Sequence, residues 1–100
     1  MNVSTTAILE TSARRLFPDR NMDQVFAELL LERARKNLIR YQAMARRFEA
    51  KYSQSFAAFR SRILSGEPTS EMEQDYFDWE LAVTGIEDME QEIKQLTALG

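Results

Sequence analysis

Apolar residues recur three and four positions apart along most of this chain, the spacing of a single helix face. At about 100° per residue, Phe26, Leu30, Ala34, Tyr41, Ala45, Phe48 and Tyr52 share one stripe, which predicts a long helix over 22–52. Val25, Leu29 and Ile39 fall away from that stripe. A second stripe of Met72, Tyr76, Trp79, Val83, Ile86 and Ile93 has the steps of a coiled-coil-like seam and predicts a helix over 71–97. Phe77 and Leu81 project to the opposite side from Trp79. Between the two, a tight corner at Ser53-Gln54 leads into a shorter helix with Phe56, Phe59 and Ile63 facing inward. Ahead of them Leu9, Ala13, Leu16 and Phe17 make one face of a short helix over 7–17, which Pro18 stops. The pattern therefore predicts an all-α fold. Its expected form is an antiparallel helical hairpin of two long helices, with a short intervening helix and a short N-terminal helix.

The turn chemistry agrees with those boundaries. Thr5 or Thr6 can cap the first helix, since a side-chain oxygen there accepts an orphan amide. Asn21 and Gln24 are spaced as a capping box, as are Ser70 and Glu73. Ser53 or Ser55 caps the short helix, and Gly66 is expected to end it in the left-handed conformation. Gly85 sits inside the last helix, where it costs about 1 kcal/mol relative to Ala, and close approach of a neighbouring backbone would explain it. Residues 1–20 read as an arm with its own short helix and residues 21–100 as the hairpin domain. The arm either folds back as a third layer or folds onto a partner.

Charge adds a second pattern to the first. Nine of the 13 basic residues lie between Arg33 and Arg62, with Glu49 the only acid among them. Residues 67 to 92 carry ten acids and no base. The acidic arm is expected to fold against the basic one and neutralise it, leaving the net charge of −3. A nucleic-acid contact through the Arg33–Arg62 face is the alternative use of that block.

Composition removes much chemistry. The sequence has no Cys and no His, so disulfides, thiol nucleophiles and imidazole acid–base catalysis are excluded, and zinc sites with them. The N-terminus lacks the charge and apolar run of a signal peptide, and no stretch approaches the ~20 apolar residues of a membrane span. A cytoplasmic protein is expected. Carboxylates are the abundant reactive groups: Glu71, Asp75 and Asp78 share a flank, and Glu87 and Glu90 form an ExxE pair. Such pairs hold magnesium when they converge from facing helices. Here they are confined to one helix that faces Arg and Lys, so they read as a solvated or salt-bridged surface. Neither a nucleophile elbow nor a phosphate loop is present, and no cofactor is expected.

One succession of residues is more particular. Arg46-Arg47-Phe48-Glu49-Ala50-Lys51-Tyr52 is followed by Ser55-Phe56 with Phe59, then by Glu73-Gln74-Asp75-Tyr76-Phe77-Asp78-Trp79-Glu80. It resembles a group of small all-helical prokaryotic proteins found in toxin–antitoxin gene pairs. In those pairs the helical protein is the antitoxin partner of a TumE-like toxin. The likeness spans roughly residues 21–97 and rests on aromatic spacing, with the N-terminal arm outside it. The family's pattern carries Gly after the Lys-Tyr pair, where this chain has Ser53, which opens a different corner geometry. The resemblance implies a non-catalytic interaction protein that binds and neutralises a toxin-like partner through helical surfaces. A helical scaffold of another role is the alternative.

Both long helices carry apolar residues off their main stripes, more than a hundred-residue hairpin covers by itself. A homo-oligomer is therefore expected, most simply a two-fold dimer, with apolar surface left for the partner. The candidate contact residues are Val25, Leu29 and Ile39 on the first long helix, Phe77 and Leu81 on the second, and Leu16 and Phe17 on the arm.

Overall fold

The computed structural model describes residues 3–99. Four helices follow one another: α1 (Val3–Leu16), α2 (Met22–Tyr52), α3 (Phe56–Ser65) and α4 (Ser70–Ala98), with no strand among the described residues. The helix predicted over 7–17 starts earlier than its expected cap, so Thr5 and Thr6 lie inside α1.

Local chemistry sets the other boundaries. The box at the start of α2 forms in full: Asn21 Oδ1 accepts the Gln24 amide at 2.9 Å, and Gln24 Oε1 accepts the Asn21 amide at 2.9 Å. Ser55 caps α3 by accepting the amide of Ala58. At α4 the cap is Thr69, which accepts from the Met72 amide, so the expected Ser70–Glu73 box does not form and Ser70 is the first helical residue. Adjacent hydroxyls can each fill that place, and the chain uses the earlier one. The left-handed residue falls elsewhere than expected. Gly66 is extended (φ −121°, ψ −165°), whereas Ser53 takes φ 51°, ψ 39° at the end of α2. Ser53 thus adopts a geometry that glycine takes more readily.

α2 and α4 run antiparallel along most of their length. Lys51 lies beside Glu71 and Asp75, while Tyr41, ten residues back, lies against Gly85. α3 folds over the corner end and packs on α4, and α1 touches α2 lightly. The core sits at the corner. Trp79 and Phe59 are fully buried with Ala82, and Ala45 is nearly so. Around Trp79 the rings of Phe48, Tyr52, Phe56 and Phe59 lie with centroids 5.3–6.4 Å away, at stacked, tilted and edge-on angles. Gly85 has its own reason: a β-carbon there would come within 2.6–2.7 Å of the Tyr41 ring, so a side chain rather than a backbone fills the space.

The packed stripe of α2 differs from the expected one. Stepping back from Tyr52 by four and three, the inward residues are Phe48, Ala45, Tyr41, Leu38, Ala34 and Leu31, all buried or half-buried. Phe26 and Leu30, expected on the buried stripe, are 54% and 58% exposed. The cause is period. A seam with a 3.5-residue repeat drifts about 20° per heptad from a straight 3.6-residue helix, roughly 70° by Phe26, and this turns both side chains out. Val25, expected off the stripe as a contact residue, is instead buried at 3% exposure. It lies on the first turn of α2, the helix that α1 touches, and Ala13 of α1 is buried too.

The result is a rod of 58 × 27 × 18 Å with a radius of gyration of 19.7 Å. A compact domain of this length has a radius of about 13 Å. The arm does not cover the hairpin as a third layer would: of its expected apolar face, Ala13 is buried and Phe17 half-buried, while Leu9 and Leu16 are exposed.

Candidate interaction surface

Of the seven candidate contact residues, five are exposed: Leu16, Leu29, Ile39, Phe77 and Leu81. Phe17 is half-buried, and the burial of Val25 removes it from the available surface. The five do not form one patch. Phe77 and Leu81 adjoin on α4, one turn apart, while Leu29 stands on α2 with Phe26 and Leu30 within a turn of it. Sequence periodicity missed the last two because they sat on the stripe assigned to the core. At the open end of the rod, Phe26, Leu30 and Leu31 line a shallow groove with Leu96 and Leu99.

The charged surface departs further from expectation. Of the nine cations between Arg33 and Arg62, all of them exposed, Lys51 is the one that is ion-paired among the described residues. The basic block is therefore not neutralised by α4. The reason is geometric. The packed stripe needs apolar residues between the helices, so most arginines lie on the outer surface of α2, where α4 does not reach.

Lys51 belongs to a polar clamp beside the aromatic core. Its Nζ donates to Glu71 Oε1 at 2.7 Å and to Asp75 Oδ2 at 2.6 Å. The Tyr52 hydroxyl donates to the same Asp75 oxygen. Asp75, with 13% of its side chain exposed, is thus held by two donors from α2. Burial acts to raise its pKa, but the hydrogen bonds from Lys51 and Tyr52 outweigh it and leave the carboxyl below the usual range. The Asp75 and Glu71 hydrogen bonds hold Lys51 above the usual ammonium range. Burial pushes the Tyr52 phenol up, and its bond to Asp75 adds to that. This clamp ties the start of α4 to the end of α2.

The remaining acids of α4 make no cluster suited to a cation: no group of three or more His, Cys, Asp or Glu converges among the described residues. No helix among them is long and apolar enough to cross a membrane. No protein-family model, curated protein or solved structure matches this chain.

Proposed function

We propose that this chain is a non-catalytic interaction module that binds a protein partner through apolar side chains on the outside of its rod. The observation that carries the reading is the coexistence of a closed core with uncovered apolar residues. Trp79 and Phe59 have no contact with solvent, yet Phe77 is 62% exposed on the same helix as Trp79. Scattered exposed leucines are ordinary on any protein. An exposed phenylalanine one turn from an exposed leucine, on a helix already satisfied on its other side, is the kind of apolar pair that an amphipathic partner covers. The resemblance in aromatic spacing gives that partner a class: a TumE-like toxin, with this chain as its antitoxin.

Co-expression with the product of the neighbouring gene tests the proposal. The two should co-purify, and this chain should relieve any growth arrest the neighbour causes. Phe77→Lys with Leu81→Lys should abolish both effects while the purified variant keeps its helical circular dichroism. Absence of a complex with the native chain overturns the reading.

A further inference from the structure

The unpaired charges are ordered. Arg33, Arg40 and Arg47 are exposed and seven residues apart, so they form one row along α2. Glu73, Glu80 and Glu87 are exposed and seven apart, so they form one row along α4. Each row spans about 21 Å at 1.5 Å per residue. None of the six is ion-paired among the described residues, and Glu80 accepts one hydrogen bond from Tyr76. The rows have the same length, the same repeat and opposite sign.

They also leave the rod on opposite sides. Arg47 is one turn from Lys51, so the arginine row follows the flank of α2 that Lys51 turns toward Glu71 and Asp75. Glu73 is two residues beyond Glu71, and Glu80 two beyond Asp78, which places their row about 160° around α4 from that flank. The two rows cannot meet within one molecule. The rod is 18–27 Å across, more than two Debye lengths of about 8 Å at physiological salt, so each face presents its own sign to an approaching molecule.

We infer that a second copy of this chain docks laterally, its Glu73–Glu80–Glu87 row against the Arg33–Arg40–Arg47 row of the first. Two rods in the same orientation bring α2 of one beside α4 of the next in antiparallel sense, as within the hairpin. Arg40 then faces Glu80, Arg33 faces Glu87 and Arg47 faces Glu73. In that register Phe77 meets Ala43, an exposed small residue between Arg40 and Arg47. Because the rows lie on opposite sides, the contact is heterologous and leaves a free row at each end. The assembly is an open lateral array, not the closed two-fold dimer expected from the sequence. This inference does not rest on the toxin reading, and within the array Phe77 is covered by the next copy instead of by that partner.

Exposed ion pairs are individually weak and screened by salt, so the average mass should rise with protein concentration at about 0.05 M salt and return to monomer at about 1 M. Light scattering measures this, with circular dichroism confirming that each variant is folded. Arg33→Glu, Arg40→Glu and Arg47→Glu together should leave a monomer, and so should Glu73→Arg, Glu80→Arg and Glu87→Arg together. An equimolar mixture of the two variants should regain the mass of the native chain, because each then offers the row the other needs. A native chain that stays monomeric at low salt overturns the inference, as does a mixture that fails to reassociate. Assembly that persists at about 1 M salt also overturns it. If the native chain stays monomeric yet binds a generic DNA duplex through the arginine row, that row belongs to nucleic acid instead.

Discussion

Ser53 is the one non-glycine residue with positive φ among those described. A left-handed residue with a β-carbon costs about 1–2 kcal/mol, while glycine loses part of that advantage through the entropy of the unfolded chain. Ser53→Gly should therefore stabilise the protein by about 0.5–1 kcal/mol, a rise of a few degrees in melting temperature. A fall would mean that the serine side chain contributes something its geometry does not reveal. The corner was legible as a corner, but no propensity says that a serine will accept that conformation. Gly85 was legible as a close approach but not as the seat of Tyr41. Gly85→Ala gains about 1 kcal/mol in helix propensity and forces the ring to move, at about 1–3 kcal/mol for overpacking. Net destabilisation should follow in thermal melts, and Tyr41→Ala should relieve it in a double-mutant cycle. The clamp gives a pH dependence. Asp75 is lowered, so its contribution is present above the unfolded carboxylate value of about 3.9 and is lost as pH falls through the folded value. Lys51 and Tyr52 are raised, so theirs is present below about 10 and is lost as pH rises further. Asp75→Asn should flatten both limbs of a plot of melting temperature against pH.

At the scale of elements, the four helices follow from apolar spacing and caps, and Trp79 stands on the stripe that predicted α4. Its burial among Phe48, Tyr52, Phe56 and Phe59 joins three helices at one point. Truncating a core aromatic to alanine costs about 3–5 kcal/mol, against a typical total stability of about 5–15. Trp79→Ala should leave the protein unfolded or molten, seen as lost near-ultraviolet dichroism and a broadened melt. Unchanged melting would contradict the burial. What the stripes concealed was their period. Phe26 and Leu30 belong to a straight helix's face, and a long seam does not keep that face. The candidate surface was legible only in part for the same reason: Leu29, Phe77 and Leu81 stood out as off-stripe residues, whereas Phe26 and Leu30 looked like core. Nor could helix periodicity find Val25, which lies off the α2 stripe and is nonetheless buried.

At the scale of the whole molecule, α1 is the part whose bond to the rest is weakest. It buries Ala13, half-buries Phe17 and coincides with the burial of Val25. Arg20 in the linker reaches Glu28, but both are substantially exposed, and such pairs contribute little. Removing residues 1–20 therefore deletes a light apolar contact, a loss on the order of one buried side chain, roughly 1.5–3 kcal/mol. The Asn21–Gln24 box that starts α2 lies beyond the cut and is untouched. The remaining chain should keep the helicity of α2 to α4 and melt cooperatively at a lower temperature. Collapse of the hairpin on truncation would show that the arm is integral to the fold. If the hairpin survives, partner binding becomes the deciding measurement, because Ile8, Leu9 and Leu16 stand exposed along α1. An arm that closes over a partner should, when removed, weaken the complex far more than it weakens the fold. An arm that only packs on α2 should weaken both by the same small amount.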